Sequence, residues 1–561
     1  MTGEAAVTGE DAVSENRTPR RDDAADGPAR LTFLNTVTDG GIDIDVVGSK
    51  AANLMLMADA GLPVPPGFVL GTGVCADYHR RGGVLDSSVE DLIRQGIRQL
   101  ERATGRRFGG ARRPLLVSVR SGAAVSMPGM LDTILNIGLS DATLPGLIRA
   151  TGDPVFAWDS YRRLIQSYAE VAGHAPAAPF AAALEAALIR HEVPSAAELD
   201  VAALRDVTAE FSDVCQAQTG QPFPQDPIRQ LTGAVESVLR SWNADRAVEY
   251  RRLRHLDHLS GTAVTVQAMV FGNLGVTSGS GVGFTRDPAT GEDRLLVDFL
   301  LSAQGEDVVG GRYGAADPEA LIAVVPGLAR NLEAARRTLE TTFRDAQDFE
   351  FTVQEGKLWL LQTRAAARTP WAALQIASDL VAEGIIDEPT ALDRLRPYNL
   401  DEVTRSGLGD GARPEPIGYG TPASHGAAAG QIALDVRVAL RAAERGEPVI
   451  LVRAEASTQD IAALAVCQGL VTASGARTSH AAVIARQLAI ACLVNCPGLS
   501  VDLAARRVRI GDTVLAEGDQ ISIDATAGLI YPGALELTRE HPTELIERVR
   551  GWQRTPSRAG R

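Results

Sequence analysis

Short apolar runs and longer stretches of helical period alternate along this chain, and they are unevenly distributed. Leu115–Gly122, Val264–Val270 and Leu295–Leu301 are brief and rich in Val, Ile and Leu, which predicts buried strands. Residues 150–260 are Ala-rich with helical spacing, broken by Pro222–Pro227, and predict a helical scaffold. Asp348–Val353 and Trp359–Arg364 alternate with period two around a Glu355-Gly356 turn, the signature of a β-hairpin. With a three-residue loop Glu355–Lys357, Gln354 opposes Leu358, Glu350 opposes Gln362 and Asp348 opposes Arg364. Alternation then puts Asp348, Glu350, Gln362 and Arg364 on one face. Further on, the apolar run Gly469–Ala473 predicts a strand, and the Ala-rich run to Ile490 a helix capped by Thr478 or Ser479.

A chain of 561 residues exceeds what one core supports and divides into domains. Residues 1–30 hold almost no large apolar side chains and predict a disordered tail. Residues 31–383 form the main unit, with the helical insert at about 150–260. A Pro-, Asp- and Gly-rich stretch, 384–415, reads as a linker. Residues 416–535 read as a smaller α/β domain, and 536–561 as a tail with one short helix and a basic end. The expected class is α/β and α+β, multidomain.

Composition narrows the function. The formal net charge of −15 argues against nucleic acid or an anionic membrane as a partner. No apolar run approaches the ~20 residues that span a bilayer, and the N-terminus lacks the apolar core of a signal peptide. Five scattered Cys without companion zinc ligands read as buried thiols, and the expected setting is a reducing cytoplasm.

The candidate chemistry concerns phosphate. His480 falls in the first turn of the predicted helix, where free N–H groups and the helix dipole favour an anion. A neutral imidazole there is a usable nucleophile, which suggests a histidine that carries a phosphoryl group. Lys50, in a Gly48-Ser49-Lys50 turn entering a helix, is placed to reach phosphates, although the P-loop spacing is missing. Arg120, at the end of a strand leading into a Gly/Ser loop, can fork onto phosphate oxygens. The run from Gly272 through Gly279 and Gly281 to Gly283 reads as a loop offering backbone N–H groups to phosphates. On the hairpin face, Glu350 and Gln362 suit Mg²⁺ and Arg364 suits phosphate. Taken singly, each has a plainer reading: a capping His, a solvated Lys, a hairpin loop, a cross-strand ion pair.

Together these stretches resemble the pyruvate, phosphate dikinase family over about residues 31–535. The resemblance rests on Gly48–Leu54, Val117–Ala123 with Met127–Met130, Thr277–Val282 with Ala303–Asp307, the Asp348–Arg364 hairpin, and Thr478–Ala482. It implies an ATP-grasp-like nucleotide-binding domain and a small swivelling phosphohistidine domain. It implies ATP, phosphate and Mg²⁺ as reactants and cofactor, with His480 attacking the β-phosphate, AMP leaving, and the γ-phosphoryl passing to phosphate as pyrophosphate. It puts Lys50 and Arg120 on phosphate-binding positions, with Arg120 also catalytic, and Asp298, Asp348, Glu350, Gln362, Arg364, Gly279 and Gly281 on nucleotide-binding positions. Glu350 and Gln362 become the metal ligands, and Thr478 a regulatory position.

The sequence departs from the family pattern in places. Asp298 stands where Glu is usual, Arg477 where Met is usual, and His425 where Pro is usual. Gly310–Gly314 lacks the usual Arg-Thr-Pro. The family's enzymes continue into an (α/β)₈ barrel, which needs ~250 residues, whereas this sequence ends at Arg561. The expectation is therefore the first half of the reaction, with the phosphoryl group passed to an acceptor or barrel on another chain, and a possible homodimer. The alternatives are a phosphotransferase or synthase acting on an unrelated small molecule, or an inactive nucleotide-binding regulatory subunit, which the Asp298 and Arg477 departures favour.

Overall fold

The computed structural model describes residues 30–35, 41–125, 127, 133–305, 325, 327–456, 460–477 and 479–554. The expected N-terminal tail therefore lies outside the described residues, apart from Arg30. So do Thr478, most of the Met127–Met130 loop, Glu306, Asp307 and Gly310–Gly314.

The chain is a mixed α/β, multidomain protein. Its first part holds two antiparallel sheets. One runs Leu31–Phe33, Gly67–Leu70, Ala263–Ala268, Val117–Gly122, Thr133–Ile137 in spatial order. The other runs Lys357–Ala365, Gln347–Gln354, Gly279–Phe284, Leu296–Leu301. Helix Ile44–Asp59 ties them together. Ser49 N–H donates to the Ala123 carbonyl at the end of one sheet (2.9 Å), and Asn53 Nδ2 donates to the Thr363 carbonyl in the other (2.8 Å). That helix is broken at Gly48, whose φ is +78°. A Cβ there would collide with the Gly122 carbonyl, so glycine lets the chain restart as helix against the sheet just before Lys50. Five helices between Pro154 and Leu253 cover the five-stranded sheet and share its core, with Phe156, Leu164, Phe211 and Leu231 fully or almost fully buried.

Two expectations about this first part are corrected. The stretch around Gly279 and Gly281 is not a phosphate-cradling loop: Gly279–Phe284 is an inner strand whose backbone is committed to the strands on both sides. The glycines serve packing. A Cβ on Gly279 would enter the ring of Phe299, and on Gly281 and Gly283 the rings of Phe351 and Phe349. The Phe299 and Phe351 rings stack at 5.8 Å between centroids. These rings are buried, and each contributes about 1.5–3 kcal/mol by leaving water, so the glycines are dictated by the aromatic layer. The hairpin turn is also shorter than expected. Gln354 pairs with Lys357 across Glu355-Gly356, both with positive φ (50° and 78°). An extra residue, Leu361, then breaks the register between Phe351↔Leu360 and Glu350↔Gln362. The bulge cancels the shorter turn, so Glu350 still opposes Gln362 and Asp348 opposes Arg364.

The second part is an eight-stranded mixed sheet with four adjacent parallel strands, Ala427–Ala433, Val449–Arg453, Gly469–Thr472 and Ala491–Val494. The expected linker 384–415 is largely structured. It contains helix Glu388–Leu395 and strand Arg405–Leu408, and Ile386, Ala391, Leu395 and Val403 are buried against Ile546 and Val549 of the C-terminal helix. Charged and Pro residues between those apolar positions disguise the burial. Strand Arg405–Leu408 pairs antiparallel with Leu537–Glu540. The chain thus enters and leaves the second part through two neighbouring strands.

Candidate active site

The four-stranded sheet displays a row of side chains. Gln362 opposes Glu350, Glu350 opposes Val282, and Val282 opposes Asp298. Directly opposed residues share a face, so Gln362, Glu350 and Asp298 project from the same side. Two residues along, the next row runs Arg364, Asp348, Phe284 and projects from that side too. The four polar hairpin residues are therefore brought onto one face.

Above this face lies a cleft of about 300 Å³ lined by Lys50, Arg120, Glu350, Gln362, Gly281, Thr133 and Met269 among others. A second, of about 350 Å³, shares Lys50, Thr133 and Gln362 and adds Ser121, Gly122, Arg364 and Met127. Arg120 leans from the other sheet and donates to the Leu361 carbonyl at the bulge (3.4 Å). Burial, with Arg120 the next cause, lowers the Lys50 ammonium to about 8, against the opposing pull of the Glu350 carboxylate. Arg364 Nε donates to both oxygens of Asp348 (2.9 and 2.8 Å). Burial still pushes the Asp348 carboxyl up, with Arg364 pulling it back. Among the described residues nothing hydrogen-bonds the Glu350 carboxylate, which leaves it free to accept a cation. Among the described residues no cluster of three or more His, Cys, Asp or Glu could hold a metal alone.

His480 opens helix His480–Gln487. Ser479 caps it, its side chain accepting from Ala482 N–H at 3.3 Å. The imidazole is not among the described side chains. The loop before it reaches the displayed face: Arg477 Nη1 lies 2.8 Å from Asp298 Oδ1. The far end of the helix does the same. Arg486 sits 5.2 Å over the Phe284 ring, and its Nε donates to the Ala367 carbonyl (3.3 Å). Asp298, expected at the nucleotide, is thus paired with the second domain instead and does not line either cleft.

Comparison with known proteins adds the family. Residues 81–324 match the pyruvate phosphate dikinase AMP/ATP-binding domain, and residues 445–528 the mobile domain of PEP-utilising enzymes. These domains belong to the pyruvate, phosphate dikinase family. The chain is 42% identical over 511 residues to pyruvate, phosphate dikinase of Clostridium symbiosum, covering 91% of this chain and 58% of that one. It is 40% identical over 524 residues to the Rhizobium meliloti enzyme, covering 91% and 58%, and 41% identical over 496 residues to pyruvate, phosphate dikinase 2 of Zea mays, covering 88% and 56%. The chain thus spans a little over half the length of these dikinases.

Sequence reasoning missed several side chains at the site. Thr133 lines both clefts; by sequence it ends the turn-rich run Ser126–Thr133, which reads as a loop that could cover a ligand, whereas it starts strand Thr133–Ile137. Asn53 looks like a helix-face amide but joins the two sheets. Arg486, in an Ala-rich helix, reads as a solvated charge and is 1% exposed. Leu361 is indistinguishable from its apolar neighbours. Two of these had a signal: Asn53 lies within the dikinase-like Gly48–Leu54 stretch, and Thr133 ends the turn-rich loop. The five Cys are free and buried, and no described helix is long and apolar enough to cross a membrane.

Proposed function

We propose that this protein phosphorylates its own His480 from ATP. Water-free attack of the imidazole on the β-phosphorus releases AMP and leaves a pyrophosphoryl group on the ring. Inorganic phosphate then takes the γ-phosphoryl, giving pyrophosphate and a phosphohistidine. The observation that carries this reading is geometric. The helix that His480 opens is held, by Arg477 at one end and Arg486 at the other, on the sheet face that displays Glu350, Gln362 and Arg364. In this reading Lys50, Arg120 and Arg364 neutralise the triphosphate. Phosphoryl transfer needs chiefly this, positioning and charge compensation. Mg²⁺ fits the site: one unpartnered carboxylate, Glu350, with the Gln362 amide beside it is what this ion takes when phosphates supply the other ligands. Held by Glu350 and Gln362, the ion would supply positive charge against the triphosphate.

The paired strands Arg405–Leu408 and Leu537–Glu540 supply a hinge at which the second domain can swing as a unit. The phosphoryl group would then pass to an acceptor site outside these 561 residues, on pyruvate by analogy with the relatives' names. The test is incubation with β-³²P-ATP, Mg²⁺ and phosphate. Acid-labile label on the protein, AMP and pyrophosphate in equal amounts, and no label on His480→Ala are expected. Equal labelling of that variant, or ATP binding without AMP, would reject the proposal, the latter in favour of a regulatory nucleotide-binding subunit.

A further inference from the structure

The two departures from the dikinase pattern that argue most against activity, Asp298 and Arg477, meet each other. Asp298 is 3% exposed, and its Oδ1 receives Arg477 Nη1 at 2.8 Å while among the described residues Oδ2 has no partner. Arg477 belongs to the second domain, three positions before His480. Its Nε donates to the Pro422 carbonyl of that domain at 3.1 Å. Its own carbonyl accepts from Arg486 Nη1 at 2.7 Å, and the same Nη1 donates to the Ala423 carbonyl at 2.9 Å. The loop that presents His480 is therefore held from both sides, and its free guanidinium edge reads one carboxylate on the other domain. A buried carboxylate that loses its hydrogen-bonded cation is left as an uncompensated charge, which is strongly destabilising, and Arg477 is the only cation that hydrogen-bonds Asp298 among the described residues. The carboxylate is one carbon shorter than Glu and the cation longer than Met, so the two changes compensate in reach.

We propose that Arg477 is a positioning residue whose ion pair with Asp298 latches the His480-bearing domain in register over the nucleotide cleft. The latch also sets how fast that domain leaves. The planar guanidinium fixes direction as well as charge, because it spans Pro422 and Asp298 at once. This role rests on the histidine-phosphorylation reading, since its purpose is to aim His480.

Two readouts test it. The first is a double-mutant cycle on single-turnover phosphohistidine formation. Arg477→Met and Asp298→Asn should each slow it by at least about tenfold, with the double variant no slower than either single one. The second is the interdomain distance, read by fluorescence transfer between dyes on Glu185→Cys and Arg509→Cys. Both positions are exposed and the five native Cys are buried. Arg477→Met should lower the docked fraction with ATP bound. A docked fraction and rate both within twofold of the parent, or strictly additive effects, would overturn the latch. If the parent chain forms no phosphohistidine, the enzymatic reading fails, while the distance measurement still decides whether Arg477 holds the domains together.

Discussion

Asp348 and Arg364 stand directly opposite each other across the hairpin, with the Arg364 Nε shared between both carboxylate oxygens. The Asp348 side chain is 6% exposed, so the pair does two things. It gives a buried carboxylate a cationic partner, and it holds a guanidinium beside Gln362 in the lining of the cleft.

Arg364→Met separates those roles. Removing the cation leaves a buried, uncompensated acid, at a cost of about 3 kcal/mol, read as a lower urea midpoint. Burial already pushes the Asp348 carboxyl up, and loss of Arg364 raises it further. A folded carboxyl above its unfolded value binds more protons in the native state, so stability falls as pH rises through that window. The variant should therefore regain stability relative to the parent on acidification from pH 7 to 5. A constant deficit across that range would show that Asp348 is not the group left unpaired.

Lys50 predicts a pH dependence of ATP binding. Its ammonium is lowered to about 8 by burial and then by Arg120, whereas a triphosphate stabilises the charged form. Binding near pH 8 should thus take up about half a proton, measurable by calorimetry in buffers of different ionisation enthalpy. Affinity should fall about tenfold per pH unit above that point. The apo protein behaves oppositely. Because the folded value lies below the unfolded one, the penalty is fully present at neutral pH, and stability rises between pH 8 and 10.5 as the native lysine is already neutral. Lys50→Met should abolish both trends.

Glu350→Gln tests the cation site. No described group hydrogen-bonds this carboxylate, so stability should change by less than about 0.5 kcal/mol. AMP formation should drop by about 100-fold or more, consistent with losing a charge that acts on the metal and phosphates. The Glu350 carboxylate also raises the Lys50 value. Its removal should therefore move the break in the ATP-affinity profile to lower pH, which a purely structural defect would not do.

Much of this site was legible from sequence because period two survives in the hairpin. Asp348, Glu350, Gln362 and Arg364 alternate with Phe349, Phe351 and Thr363, and the face follows. The turn length did not follow, because Leu361 can be bulged or paired with no change in composition. The glycines at 279, 281 and 283 were misread for a related reason. Glycine marks both phosphate loops and sites of close packing, and only the positions of Phe299, Phe349 and Phe351 decide between them. The segment 384–415 was hidden by averaging, since four apolar residues among many polar ones suffice to dock it. The ion pair of Asp298 with Arg477 joins positions far apart in the chain, and no local pattern announces such a pair.

Arg286 provides a prediction away from the chemistry. It follows the inner strand Gly279–Phe284 and is 1% exposed, donating to both Glu340 oxygens (3.0 and 3.1 Å) and to both Glu383 oxygens (2.9 and 2.6 Å). Glu340 lies in helix Leu328–Phe343, and Glu383 ends helix Pro370–Ala382. One guanidinium thus pins two helices to the sheet beneath the site. Its carboxylate partners hold its charge more firmly than usual despite burial. Arg286→Met leaves Glu340, itself 4% exposed, without its cation and should cost about 3–5 kcal/mol. Replacing both partners removes the unpaired charge, so Arg286→Met with Glu340→Leu should recover more than half of that loss, because desolvation rather than attraction dominates such pairs. Urea midpoints of the two singles and the double decide it. If the double is as unstable as the sum of the singles, Arg286 acts by packing its stem and not by compensating Glu340.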